Sequence, residues 1–281
     1  MRINTNISSL GAQEASINTN NSIKNSLEKL STGLKINKAS DDASGLAIAD
    51  KLRTQVTSIN QGVSNGNSAI ALLQIADKSM AEQSKILDTV KSKLIQANTD
   101  TTSADGRESI RKDITKLLNQ LDNIAVQTNY NGTSLLQESR ASDASLAGLT
   151  FQVGENSADT ISTSAIKANT SGYGLTALKS LAASGLTTTL AASNQTLVDT
   201  AIKTLNGYRG DIGSTQNQVE SAVRNLMTQS TNIKAAESII RDVDYAEESA
   251  NFNKLNIISQ AGSYAISQSN ATQQNVLRLL Q

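Results

Sequence analysis

The stretch Ser44–Ala97, SGLAIADKLRTQVTSINQGVSNGNSAIALLQIADKSMAEQSKILDTVKSKLIQA, carries Leu52, Val56, Ile59, Val63, Ile70, Leu73, Met80, Leu87 and Leu94 on one ladder. Its rungs are four and three residues apart, with Gly66, Asp77, Ser84 and Lys91 interrupting it. Alternation of four and three is the 3.5-residue period of a coiled-coil-like seam. A single helix over this span would be roughly 80 Å long. Composition permits it: the 281 residues include no proline, the residue that removes a helical donor and clashes with the preceding turn.

Working outward, a shorter ladder precedes this helix, with Ile3, Ile7 and Leu10, then Ile23, Leu27, Leu30 and Leu34 after a change of phase. Gly33 and the polar run Asn37–Asp42 break it, and Asp41 or Asp42 is suited to cap the amides of the next helix start. A joint is therefore predicted near 34–43. After Ala97 the run Asn98–Ser103 reads as a turn, and Asp105 with Glu108 as a capping box. Ile110, Ile114, Leu117, Leu121 and Ile124 form a third ladder, which Asn131-Gly132 closes.

Residues 138 to about 190 are rich in Ser, Thr, Ala and Gly. Leu149–Gly154 is the best strand candidate there, with Thr160–Thr163 as its hairpin partner, and this is the one β signal we read. Helical periodicity returns with Val198, Ile202 and Leu205, then Val219, Val223, Leu226, Ile233 and Ile240, and a last ladder of Leu255, Ile258, Ala265, Val276 and Leu279. The expected fold is mainly α, with long antiparallel coiled-coil-like helices folded back on each other and a small β-hairpin region in the middle. Both ends carry amphipathic stripes that an isolated helix cannot bury, so they pair with each other or with other copies.

The chemistry of most enzymes is missing. There is no His, Cys or Trp, and aromatics total 2%, which excludes zinc, haem and histidine-based triads and every disulfide. The 25 basic and 25 acidic residues are interspersed, so no footprint for nucleic acid or an anionic membrane is present. No apolar run approaches the ~18 residues that span a bilayer, and Met1–Ile7 has no apolar segment of the secretory-signal kind. Asp41-Asp42 and the cluster Asp242, Asp244, Glu247 and Glu248 read as helix caps rather than catalytic or calcium sites. Gly207, Gly210 and Gly213 read either as a close approach by another helix or as a weak point in their own.

Several segments resemble one family. Met1–Leu10, the run Leu30-Ser31-Thr32-Gly33-Leu34-Lys35-Ile36-Asn37 and the run Ala39–Ala49 are similar to the N-terminal signature of bacterial flagellins. Asp244-Tyr245-Ala246-Glu247, Gln260-Ala261-Gly262 and Gln274–Gln281 resemble the flagellin C-terminus, and Thr128–Gly132 and Phe151–Gly154 extend the likeness across the chain.

The resemblance implies a structural subunit that polymerises into the flagellar filament for motility, with no cofactor and no bond chemistry. Residues 1–43 plus 241–281 would form an inner-tube coiled coil, 44–137 plus 190–240 a helical bundle, and 138–189 its hairpin and irregular surface segment. The inner-tube contacts would be Ile3, Ile7, Leu10, Ile23, Leu27, Leu30, Leu255, Ile258, Ala265, Val276 and Leu279. Implied partners are other flagellin copies, the export chaperone and type III export apparatus, and the hook-associated junction and cap proteins; the implied location is the extracellular filament. Alternative readings are a hook-filament junction protein, or a secreted adhesin or immune-modulating protein.

Three departures from better-known members stand out. The variable outer domains are absent. Ala271-Thr272-Gln273-Gln274 replaces a segment that often holds a proline. The Arg-Val-Arg-Glu-Leu segment read by the animal innate flagellin receptor is replaced by Thr89, Val90, Lys91, Ser92 and Lys93, from which weak receptor activation is expected. The Ser/Thr-rich segment 139–196 is either a hydrophilic surface or a site of O-linked glycosylation.

Overall fold

The computed structural model describes residues 5–137, 145–183 and 185–279, the side chains of 276–279 excepted. Its helices are α1 (Ile7–Thr32), α2 (Ala43–Ala97), α3 (Ala104–Gln127), α4 (Thr176–Lys179), α5 (Thr188–Arg241) and α6 (Tyr245–Leu279). Its strands are β1 (Asn129–Tyr130), β2 (Thr133–Ser134), β3 (Thr150–Gln152) and β4 (Thr160–Ser162). The chain divides into two compact units, one of Met1–Val56 with Thr231–Gln281 and one of Thr57–Ser230. Both α2 and α5 run from one unit into the other.

In the unit of 57–230, α2 and α5 lie antiparallel, tied by Asn60 to Ser230, Asp77 to Arg209 and Lys91 to Asp199. Leu73, Met80, Leu87 and Leu94 of the long ladder are fully buried, against Ile114, Leu118 and Leu121 of α3 and Leu205 of α5. The α3 ladder buries Leu118 and Ala125 where the spacing favoured Leu117 and Ile124, which are half-buried beside them. Its capping also differs from expectation. Ser103, not Asp105, caps α3 by accepting the amide of Gly106 at 3.1 Å, and Glu108 instead holds Arg111 at 2.7 Å.

Gly66 does not interrupt the α2 seam but belongs to it. A Cβ there would lie 2.4 Å from Val223 Cγ2, and one on Gly62 would lie 2.3 Å from the carbonyl oxygen of Val153. The two glycines let α5 and the hairpin approach the α2 backbone. That hairpin pairs Thr150 with Ser162, Phe151 with Ile161 and Gln152 with Thr160, and turns Ile161 into a small core with Ala69, Val153, Val219 and Val223. A second hairpin, β1–β2, was missed in the sequence. Asn131 (φ 50°) and Gly132 (φ 82°) make its two-residue turn, the left-handed pair for which Asn-Gly is the favoured sequence.

The irregular segment after β4 is latched by polar groups. Gln83, fully buried, donates to the carbonyls of Leu121 (3.2 Å) and Ala168 (2.9 Å) and accepts from the Tyr173 hydroxyl (3.0 Å). Burial pushes the Tyr173 phenol well above its usual range. Asp122 accepts from the amide and hydroxyl of Thr170 and from Lys179 Nζ. Such a segment has no regular ladder to satisfy its own backbone, so buried side chains supply partners.

Candidate assembly surface

The other unit is built on α1 and α6. Asn6 starts α1 by accepting the Ser9 amide at 3.1 Å, and Gly33 (φ 73°) ends it in the left-handed conformation. Asp42 starts α2, accepting the amides of Ser44 (3.0 Å) and Gly45 (2.9 Å). Asp41 instead gathers the amides of Asn37 and Lys38, and those bonds hold its carboxyl below the usual range. Asp244 starts α6 through the amides of Ala246 and Glu247. The two joints are clipped together. Lys35 N donates to Arg241 O at 2.6 Å, Val243 N to Gly33 O at 3.0 Å, and the Tyr245 hydroxyl to Leu30 O at 3.1 Å.

From this clip α1 and α6 run side by side, antiparallel, with Ser26 bonded to Glu248, Asn20 to Ser259 and Asn6 to Ser269. The covered face of α1 carries Ser9, Ala12, Ser16, Thr19, Ile23, Ser26 and Leu30, at alternating steps of three and four. The covered face of α6 carries Glu248, Phe252, Leu255, Ser259, Gly262, Ile266, Ser269 and Gln273, in the same rhythm. This seam is mostly small and polar. The one buried residue of α1 is a serine, Ser26.

A second set of large apolar residues lies on another stripe, roughly a third of a turn round each helix. On α1 these are Ile7 (68% exposed), Leu10, Ile17 and Leu27; on α6, Ile257, Ile258 and Tyr264 (73% exposed). The terminal ladders read from the sequence thus combine two faces of each helix. Ile23, Leu30 and Leu255 are half-buried in the seam, whereas Ile7, Leu10, Leu27, Ile258 and Ala265 face outward. Ile3 and the side chains of Val276 and Leu279 lie outside the described residues. Phe252 and Ile266 of the seam, and Ile17, Ile257 and Tyr264 of the outer stripe, were not singled out. Phe252, Ser259 and Ile266 at seven-residue steps were the available signal.

Comparison with known proteins decides what presents such a surface. The family described as the bacterial flagellin N-terminal helical region matches residues 3–141, and the bacterial flagellin C-terminal helical region matches residues 195–280. This chain belongs to the bacterial flagellins. It is 36% identical over 303 aligned positions to the flagellin of Bacillus subtilis strain 168, covering 100% of both chains. It is 41% identical over 208 positions to Flagellin B of Helicobacter pylori strain ATCC 700392 / 26695, covering 73% of this chain and 39% of that one. A putative flagellar hook-associated protein from Vibrio parahaemolyticus shares the fold, with a TM-score of 0.58 at 11% identity over 72% of this chain and 99% of that one.

As a flagellin the chain is a structural subunit of the bacterial flagellar filament, in a small core form. The receptor-segment positions lie in its other unit. Val90 is fully buried, Lys91 pairs with Asp199 and Lys93 with Asp113 (3.0 Å), while Thr89 and Ser92 are exposed. Gly207, Gly210 and Gly213 have no atom within 4 Å of a Cβ built on them, so no neighbour within the described chain explains them.

Proposed function

We propose that the outer stripes of α1 and α6 are the surface on which copies of this chain pack to build the filament's inner tube. The observation that carries this reading is the division of labour within the pair. The seam sets only Ile23, Leu30, Phe252, Leu255 and Ile266 among small and polar residues, while Ile7, Leu10, Ile17, Leu27, Ile257 and Ile258 are left to solvent. Each such side chain, once buried, contributes up to about 1.5–3 kcal/mol, which is available only from another molecule. Residues 1–43 with 241–281 form the tube. Residues 44–137 with 190–240 form a helical bundle domain, with 138–189 as its surface segment.

The subunit works by packing and carries no catalytic group or cofactor. It acts outside the cell, reached through the flagellar export apparatus with its chaperone, and meets the junction and cap proteins at the filament's ends. Its replaced receptor segment gives weak innate signalling, because Val90 is inaccessible and Lys91 and Lys93 are engaged within the chain. Seeded polymerisation tests the main reading. Leu10→Ser with Ile257→Ser should abolish growth on wild-type seeds while the unit of 57–230 keeps its stability; growth at the wild-type rate refutes it. For the receptor, full-strength response of reporter cells to purified monomer at low dose contradicts weak recognition.

A further inference from the structure

Where one helix offers only small residues to a seam, packing is permissive about axial position. Where large apolar side chains interlock, sliding one helix by a heptad opens cavities and creates clashes, so packing itself sets the register. Along α1 the covered positions Ser9, Ala12, Ser16 and Thr19 are small over three turns, and the covered α6 positions from Ser259 to Ser269 carry one large apolar side chain, Ile266. Replacing one small residue by another seven positions away changes little packing. Along this stretch packing alone sets the position of α1 on α6 only loosely.

Polar contacts sit at either end of it. Near the joint, Ser26 is 3% exposed and its hydroxyl donates to Glu248 Oε1 at 2.5 Å. At the far end, Asn6 Nδ2 donates to both the carbonyl oxygen (3.3 Å) and the hydroxyl (3.2 Å) of Ser269. The same Asn6 accepts the Ser9 amide, so one side chain both starts α1 and ties it to α6. Twenty residues separate Asn6 from Ser26, about 30 Å of helix. Polar groups within a helical seam are poor sources of stability but good sources of register, because a shifted alignment leaves them unpaired.

We propose that Asn6, Ser26, Glu248 and Ser269 are register-positioning residues, which fix the axial alignment of α1 on α6 and so the axial offset between the outer stripes that the pair offers to other copies. The proposal rests on the filament reading above and deepens it. Apolar residues supply the intermolecular affinity, and polar residues decide which surface is offered. A slipped pair would shift Leu10 and Ile17 along the axis by one heptad, about 10 Å, relative to Ile257, Ile258 and Tyr264.

The absence of cysteine from all 281 residues allows a direct test. One full-length reporter carries Asn20→Cys with Ser259→Cys, the pair in contact at the present register; a second carries Gln13→Cys with Ser259→Cys, which reports a one-heptad slip. Disulfide formation needs Cα atoms within about 7 Å, so each reporter reads one alignment. In filaments with the pins intact, the first should cross-link within the chain at least tenfold faster than the second. With Asn6→Ala, Ser26→Ala and Glu248→Ala added, that ratio should fall to within about twofold, a loss of roughly 1 kcal/mol of register preference. Glu248→Gln, which keeps the acceptor, should retain the wild-type ratio.

The ratio is read in whichever fraction holds the variant, filament or soluble. An unchanged tenfold ratio in the triple variant overturns the register role even if filaments form. Failure of the pin-intact, uncross-linked chain to add to seeds counts instead against the filament reading.

Discussion

Glycines at two places in the same long-helix pair should respond oppositely to one added methyl group. Replacing Gly207, Gly210 and Gly213 of α5 by alanine introduces Cβ atoms with nothing within 4 Å. Glycine in a helix interior costs about 0.8–1.0 kcal/mol relative to alanine, so the triple variant should be about 2–3 kcal/mol more stable. At roughly 2–4 °C per kcal/mol for a domain of this size, its Tm should rise by about 5–10 °C. Gly66→Ala gains the same propensity but drives its Cβ to 2.4 Å from Val223 Cγ2, and overpacking costs about 1–3 kcal/mol. Gly62→Ala meets the Val153 carbonyl oxygen at 2.3 Å, and a backbone atom of a paired hairpin yields less than a side chain. The order of stability should therefore be triple alanine, wild type, Gly66→Ala, Gly62→Ala. Urea unfolding of the full-length monomer, followed by far-UV circular dichroism, measures it, with unchanged m values certifying a comparable transition. A triple variant less stable than wild type, or a Gly66→Ala variant more stable, would refute the reasoning from space around the backbone.

The other expectations concern polar groups and kinetics. Gln83→Leu should cost about 2–4 kcal/mol in the same unfolding assay, because it strands the carbonyls of Leu121 and Ala168 and the Tyr173 hydroxyl in the core. Asp41 has its carboxyl pKa lowered by the Lys38 and Asn37 amides, so its bonds are fully present above the unfolded value of about 3.9 and lost as pH falls through the lower folded value. Amide chemical shifts of Asn37 and Lys38 should titrate together in that acidic window, and Asp41→Asn should remove the titration; a midpoint above the ordinary carboxylate value contradicts the assignment. With no proline and no cysteine, refolding of the monomer should show no tens-of-seconds phase of the isomerisation kind and no effect of a prolyl isomerase, checked by stopped-flow circular dichroism.

Much of the unit of 57–230 was legible because its helices obey a simple pattern. Leu73, Met80, Leu87 and Leu94 sit on one ladder and fall in one core, since α2 there packs a single face. What escaped was detail that periodicity does not encode. Gly66 looked like an interruption because hydrophobicity counts side chains, whereas the seam at that point needs the absence of one. Gln83 lies one residue before the ladder position Ser84, on the buried row of Ala76 and Val90, and its polarity is intelligible only once Ala168 and Tyr173 arrive from a segment with no helical signal. The Asn131-Gly132 hairpin was written in the chain but read as a stop, because strands of two residues are too short to alternate.

The terminal helices escaped for a different reason, and the reason bears on function. A ladder search returns the strongest apolar period and assumes it marks the covered face, which holds when a protein buries its apolar residues within itself. In α1 and α6 the large apolar residues divide between two faces; the covered face is the poorer in α1, and in α6 Phe252, Leu255 and Ile266 are matched by Ile257, Ile258 and Tyr264 outside. A monomer evolved only for its own stability would place Leu10, Ile17 and Ile257 in the seam and Ser16 and Ser259 outside, gaining about 1.5–3 kcal/mol for each exchange. Forgoing that gain in both helices makes sense for a chain whose final state includes neighbours, where the outer stripe becomes interior. On that argument, exchanging Leu10 with Ser9 and Ile257 with Ser259 should stabilise the α1/α6 pair of the isolated monomer, seen as increased helical signal, while stopping growth on filament seeds. Growth at the normal rate from so rearranged a chain would mean that the outer stripe carries no intermolecular contact.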